Sequence, residues 1–252
     1  MQRLVKRAKY PERYLQAGIS PKLTGLLIGP PGCGKTMLAD AAAHEVGDIY
    51  LSAKVSDIES MWAGEAEKNI AGLFDLLKVL GEKHNVVLLI DELEGLAASR
   101  GGMHMMTWER KMTSEFLTAL NDYYPNCLIL GATNDAVNVD AAVIRSGRFN
   151  EVMEVSPPGT EGRAEIITKW VKYFTNRAEV PVFNGIDVSE LVAVSDGLTG
   201  ADLKVAIEGV IADAVDDGID NGEETQPVDT KMLVKAFASL KRKNDLRQRS
   251  YI

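Results

Sequence analysis

The sequence predicts an α/β fold, a parallel sheet flanked by helices, followed by a small all-helical domain. Three observations carry this. Short apolar runs such as VVLLI (86–90) and CLILGA (127–132) show no polar alternation, which is how a strand reads when both its faces are covered. Helical spacing recurs between these runs, and strands that alternate with helices build a parallel sheet. After SPPGT (156–160) strand signals stop and helical patterns continue to near the end, so that punctuation marks a change of architecture.

LTGLLI (23–28) is the first strand and stops at Gly29. A glycine-rich turn follows, then an alanine-rich helix from Lys35 to about Val46. DIYLS (48–52) is the second strand. From Gly64 to about Gly81, the positions Ile70, Leu73, Phe74, Leu77 and Leu80 recur at helical spacing. VVLLI is the third strand. The loop ASRGGMHMMT (98–107) leads into a helix from about Trp108 to Leu120, CLILGA is the fourth strand, and NEVMEV (150–155) is a weaker fifth. Helical patterns then begin near Glu161, Val188, Gly200 and Asp229, with Leu203, Ile207, Val210, Ile211 and Ala214 forming one stripe. The expected division is a basic segment 1–10, an α/β domain 11–156, a helical domain 157–240 and a basic tail 241–252. Both basic ends read as solvated tails.

The bulk numbers narrow the function. The chain has 252 residues, 46% hydrophobic and 25% charged, as expected for one sizeable globular domain or a large one with a satellite. No apolar run is long enough for a transmembrane helix, and the basic N-terminus is not followed by the apolar core of a secretory signal. Two cysteines, Cys33 and Cys127, without metal-ligand spacing suit a reducing compartment, with the cytoplasm as the default. A net charge of −8 argues against sequence-independent nucleic-acid binding, which needs clustered Lys and Arg.

Four motifs carry chemistry. GPPGCGKT comprises Gly29, Pro30, Pro31, Gly32, Cys33, Gly34, Lys35 and Thr36, with Met37 next on the helix. It fits the phosphate-binding loop pattern between a strand and a helix. Glycines let backbone N–H groups face phosphate oxygens, and the helix N-terminus favours an anion. Lys35 reaches the β- and γ-phosphates, and Thr36 suits Mg²⁺. At the end of the buried VVLLI strand, Asp91 suits the same cation and Glu92 can accept a proton from an attacking water. GATN puts Asn134 at the next strand end, where a neutral amide can orient that water. RSGRF supplies Arg145 and Arg148, guanidinium groups of the kind that stabilise charge in phosphoryl transfer.

Taken in order, these motifs resemble the AAA+ ATPases: P-loop, acidic Walker B pair, sensor-1 asparagine, paired arginines, helical lid. The resemblance is closer to the AAA subfamily in the narrow sense, which includes the valosin-containing-protein type, the proteasomal ATPases, the membrane AAA proteases and the microtubule severers. YPERYLQAGISPKLTGLLIGPPGCGKT looks like that subfamily's lead-in, and DAAVIRSGRFNEVMEVSPPGTEGRAEII like its second region of similarity. GLTGADLKVAI (197–207) looks like the sensor-2 segment, with Gly200 and, where other AAA+ groups have arginine, Ala201. The resemblance covers about residues 10–240.

The resemblance implies ATP and Mg²⁺ as cofactors and a homo-oligomeric, hexameric ring in which Arg145 and Arg148 act on the neighbour's nucleotide. It puts Trp170 near the adenine; a tryptophan of the lid core is the other reading. It assigns SMWAGEAEKN (60–69) to a first pore loop, with Met61, Trp62 and Ala63 facing the channel, and His104 to a second. Met61 and Trp62 are adjacent and cannot share one helix face, so a core stripe explains them poorly; aromatic rings grip polypeptide without reading its sequence. The implied function is a ring motor that remodels, unfolds or disassembles protein substrates, with an adaptor or larger assembly as a further partner. The alternative is a nucleic-acid loader or scaffold switch that binds without threading. No H-E-x-x-H motif is present, so proteolysis in cis is not expected.

Overall fold

A strand with apolar residues on both sides needs cover on both faces, and the central strands have it. The structure is a computed structural model describing residues 1–60, 66–96, 107–135 and 148–249. β1 (Thr24–Ile28), β2 (Ile49–Lys54), β3 (Val86–Asp91), β4 (Cys127–Thr133) and β5 (Glu151–Glu154) form one parallel sheet in the order β2-β3-β4-β1-β5. β4 is buried throughout and β3 up to its last residue, whereas the edge strand β5 alternates. Ile28 pairs with Thr133, Ile90 with Gly131 and Lys54 with Asp91. The C-terminal ends of four strands therefore share one edge of the sheet, where open α/β folds bind ligands.

Successive side chains point to opposite faces, and the core divides accordingly. Leu26, Leu88, Ile90 and Ile129 pack with Ile70, Phe74 and Leu77 of α5 (Ala66–Gly81) and Phe116, Leu117 and Ala119 of α6 (Thr107–Ala119). On the other face, Leu27, Val87, Leu89, Leu128 and Leu130 pack with Ala39, Ala42 and Ala43 of α3 (Lys35–Val46). Alanines bring that helix close to the sheet.

The basic N-terminus corrects one expectation. Instead of a solvated tail it forms α1 (Gln2–Lys9), with Leu4, Val5 and Ala8 buried in the second cluster, followed by α2 (Pro11–Gln16). Three apolar residues on one face outweigh the surrounding charge, because a fully buried leucine stabilises by about 2 kcal/mol and the basic heads stay outside. Arg7 also pairs with Glu151 at 3.0 Å, and Lys9 with Glu45 at 2.9 Å. The other basic end differs likewise: helical structure runs on from Thr230 to Arg249 rather than stopping near residue 240. Sequence reasoning also missed α4 (Val55–Ser60) and the 3₁₀ turn Leu93–Leu96.

The chain forms two compact units. The first is Met1–Pro30 with Gly34–Val155; the second is Pro31–Cys33 with the chain from Ser156 onward. The second unit contains α7 (Thr160–Arg177), α8 (Val188–Val194), α9 (Gly200–Asn221) and α10 (Thr230–Arg249). Its core joins Ile167, Leu191, Leu203, Ile207, Val210, Leu233 and Phe237. Asp187 caps α8, a Thr199–Asp202 capping box opens α9, and Gly222 at φ +66° closes it. No helix among the described residues is long and apolar enough to cross a membrane.

Candidate active site

The loop after β1 exists because of glycine. A Cβ on Gly29 would sit 2.1 Å from the Val155 carbonyl oxygen, so no other residue fits. Gly32 and Gly34 hold φ of +76° and +94°, the left-handed region that glycine enters without penalty. Gly34 is the N-cap of α3 and gives no side-chain cap. No side chain closes the start of that helix, and a helix N-terminus favours an anion.

Lys35 is buried at 6% exposure. Its ammonium donates to the Gly29 carbonyl at 2.7 Å, the Pro30 carbonyl at 2.9 Å and Asn134 Oδ1 at 2.7 Å. An ammonium has three donors and no acceptor, and three oxygens offset its burial. Next along α3, Thr36 Oγ1 donates to Asp91 Oδ2 at 3.2 Å. A hydroxyl beside a carboxylate is an oxygen pair suited to a hard cation. Met37 is 68% exposed.

Glu92 follows β3 with φ +61°. For a residue with a Cβ this conformation costs about 1–2 kcal/mol, and the Glu92 N–H recovers part of it by donating to Asp91 Oδ1 at 2.9 Å. The turn aims its carboxylate at the end of β2. There Lys54 Nζ donates to Oε1 at 3.1 Å and Ser56 Oγ to Oε2 at 3.3 Å. The hydrogen bond to Glu92, then the charge of that carboxylate, holds the Lys54 pKa above its ordinary value.

Asn134 extends β4 by one residue and lies between two charges. Its Oδ1 accepts from Lys35, and its Nδ2 donates to Glu94 Oε1 at 3.0 Å. Glu94 Oε2 also accepts from Thr133 Oγ1 at 2.8 Å and from the Asn134 backbone N–H at 3.3 Å. Burial alone would push the Glu94 carboxyl up; hydrogen bonds from its own backbone, Thr133 and Asn134 outweigh that and hold it below the usual value.

The predicted residues therefore separate. Gly29, Pro30, Gly34, Lys35, Thr36, Asp91, Glu92 and Asn134 gather at one edge of the sheet in the first unit. Arg148, half-buried, lies just before Phe149, which is 2% exposed in the core, and Asn150, whose N–H and side-chain amide bond Thr24 and the Lys22 carbonyl. In the second unit, the Ala201 N–H donates to the Gly32 carbonyl at 3.3 Å, Gly200 opens α9, and Pro31 and Cys33 flank Gly32. Trp170 packs in the second unit's core with Tyr173 and Phe174, and Lys204 Nζ lies 5.1 Å from its ring centroid. Met61, Trp62, Ala63, His104 and Arg145 lie outside the described residues.

Lys54, Ser56 and Glu94 were missed by sequence reasoning. Glu94 had a signal, as a third acid two positions past Glu92. Lys54 had none before the β2–β3 register set it opposite Asp91.

The donor set fits a magnesium-bound nucleoside triphosphate. A loop that admits no Cβ at Gly29, a helix start without a side-chain cap, a buried ammonium and a hydroxyl–carboxylate pair answer separate parts of that ligand. The family model for the ATPase family associated with various cellular activities (AAA) matches residues 25–157. The chain belongs to the AAA family.

A proteasome-activating nucleotidase of Pyrococcus horikoshii is 34% identical over 203 residues, 78% of this chain and 48% of the relative. The chloroplastic ATP-dependent zinc metalloprotease FTSH 7 of Oryza sativa subsp. japonica is 34% identical over 208 residues, 81% of this chain and 24% of the relative. The chain thus spans about half or less of these AAA relatives. A crystal structure of the FIGL-1 AAA domain aligns with a TM-score of 0.73 at 25% identity, covering 92% of this chain and 76% of that one. The five-stranded parallel sheet flanked by helices, with further helices after it, is the AAA-domain fold.

Proposed function

We propose that this protein is a magnesium-dependent ATPase that works as a ring motor on polypeptide. The observation carrying this is the convergence of Lys35, Thr36, Asp91, Glu92 and Asn134 on one edge of the sheet, with hydrogen bonds already linking Lys35 to Asn134 and Thr36 to Asp91. Gly29 to Thr36, Met37 and Asp91 hold the nucleotide and its Mg²⁺, and the family resemblance assigns Trp170, Gly200 and Ala201 to nucleotide binding as well. Bound ATP supplies a phosphoric anhydride, which water cleaves to ADP and phosphate. Glu92 takes the proton of that water, Asn134 orients it, and Lys35 neutralises charge on the phosphates.

Arg145 and Arg148 act on the nucleotide of a neighbouring copy, so the site is complete only in an oligomer, read as a hexameric ring. The order of motifs and the likeness to nucleotidase and protease relatives support this. Met61, Trp62, Ala63 and His104 grip an extended polypeptide, the α/β domain gives way to the helical domain near residue 156, and the machine operates in the cytoplasm, alone or with an adaptor.

Glu92→Gln tests this reading. The variant binds ATP and hydrolyses it about 10² to 10⁴ times more slowly, the span of a lost general base. With ATP and Mg²⁺ it holds a fluorescent unfolded polypeptide by anisotropy, and Trp62→Ala in the same background abolishes that binding. Binding of labelled DNA instead, indifferent to Trp62, would overturn the motor and favour a loader or switch.

A further inference from the structure

We propose that Glu94 is a positioning residue that fixes the Asn134 amide, oxygen toward Lys35 and the reacting water, nitrogen turned away. For its catalytic consequence this rests on the ATPase reading; for its geometry it does not.

The orientation follows from which partners can donate and which can accept. The two ends of an asparagine amide are similar in shape, and only the network tells them apart. Here the network leaves one answer. The Lys35 ammonium can only donate, so the atom 2.7 Å from it is the oxygen. The Glu94 carboxylate can only accept, so the atom 3.0 Å from it is the nitrogen. Flipping the amide would set NH₂ against an ammonium and oxygen against a carboxylate, losing both bonds.

Glu94 is itself held. Thr133, 0% exposed, donates to Oε2 at 2.8 Å, and the Asn134 backbone N–H donates to the same oxygen at 3.3 Å. Both carboxylate oxygens are engaged, so the side chain cannot turn without losing several bonds. The 3₁₀ turn that carries Glu94 is anchored by Leu93, which is 1% exposed and packs beside Gly131, where a Cβ would approach it to 2.4 Å.

The catalytic consequence concerns the lone pairs of Asn134 Oδ1. One accepts from Lys35. The second remains for a water proton. A water that donates to Asn134 and to Glu92 points its own lone pair elsewhere, toward an electrophile. With Nδ2 committed to Glu94, Asn134 acts as an acceptor from water and not as a donor to phosphate. The acidic residue thereby selects which of two roles a neutral amide plays.

Glu94→Gln, Glu94→Asp, Asn134→Asp and the Glu94→Gln/Asn134→Asp double variant test this in the full chain. The first readout needs no nucleotide: hydrogen exchange of the Asn134 side-chain NH₂, observed by ¹⁵N NMR and assigned with Asn134→Ala. Glu94→Gln speeds this exchange about tenfold, as loss of a charge-assisted hydrogen bond should. The second readout is kcat against ATP affinity. Glu94→Gln lowers kcat about tenfold while ATP affinity stays within about threefold, the split expected when only an orientation in the transition state is lost.

Glu94→Asp, shorter but still acceptor-only, retains more activity than the near-isosteric glutamine, an order that a packing role would reverse. The double variant recovers activity over both single variants, because the glutamine NH₂ donates to an aspartate whose oxygen still faces Lys35. Should Glu94→Gln fail to fold, the double variant and Glu94→Asp carry the comparison. Unchanged exchange in Glu94→Gln, or strictly additive losses in the double variant, overturns the proposal. A wild-type chain with no ATPase activity defeats the ATPase reading, and the exchange readout still decides the amide's orientation.

Discussion

The two units handle backbone polar groups and charge in opposite ways. In the helical unit, the starts of α8 and α9 are satisfied locally, although α7 opens on Gly159 without a side-chain cap. Asp187 accepts two N–H groups at the start of α8, Thr199 and Asp202 cap α9 reciprocally, and positive φ falls on glycines 185, 197 and 222. Buried Arg163 bonds Ser195, the Pro158 carbonyl and Asp196. The α/β unit leaves α3 without a side-chain cap, buries the ammonium of Lys35 and puts Glu92 at positive φ. Those features share one edge of the sheet. Local satisfaction marks packing; uncapped donors and strain together mark chemistry. Strain by itself does not: Asn126 also has positive φ, at +56°, but asparagine tolerates that region and its side chain bonds the Gly81 carbonyl.

The sharpest way to break this contrast is Gly29→Ala. Its Cβ would meet a backbone oxygen, which cannot rotate aside, so β1 and Val155 must separate. We expect a loss of about 3 kcal/mol in urea unfolding, at the upper end for overpacking, together with loss of nucleotide binding by calorimetry. Preserved binding at lowered stability would show that the loop tolerates another backbone path, and the link between cradle and ligand would fail.

Ser195→Ala is the counterpart in the helical unit. Ser195 is 0% exposed, accepts from Arg163 Nε at 3.1 Å and donates to the Val192 carbonyl at 3.0 Å. Its removal leaves a buried guanidinium donor unmet, at a cost of about 2 kcal/mol. Nucleotide affinity should stay within about threefold if the residue serves packing alone. A larger fall in affinity would blur the division between the two units.

What the sequence disclosed divides along similar lines. β3 and β4 were legible because a doubly covered strand must be apolar throughout, and the loop at Gly29–Thr36 because its glycines, lysine and threonine each answer a separate physical demand. The Asp91–Thr36 pair followed once those strands were made parallel, whereas the Lys35–Asn134 hydrogen bond had no signal in the sequence. Harder to read were features set by packing between distant segments. α1 has only eight residues, and its charges masked the buried face of Leu4, Val5 and Ala8. Lys54 looked like an ordinary strand-end lysine until the register set it beside Glu92. Glu94 sat in plain view, but nothing local says that a carboxylate will accept from the residue after β4.

Lys54 gives the smallest and most discriminating test. Its side chain is 54% exposed, so its ion pair with Glu92 should add little to stability, since screening and side-chain entropy offset the attraction. Its effect is on where the Glu92 carboxylate points. Lys54 and Ser56 together draw that carboxylate toward the end of β2, and Val55 between them, 1% exposed, fixes the start of α4 in the core. Lys54→Ala frees Glu92 to turn back toward Asn134. Basal hydrolysis should then rise about threefold, the scale of one exposed ion pair, with the unfolding midpoint unmoved, and Lys54→Arg should stay near the wild-type rate. A fall in rate would mean that Lys54 assists the base instead of restraining it, and a fall in stability would mean that the pair belongs with the packing contacts of the helical unit.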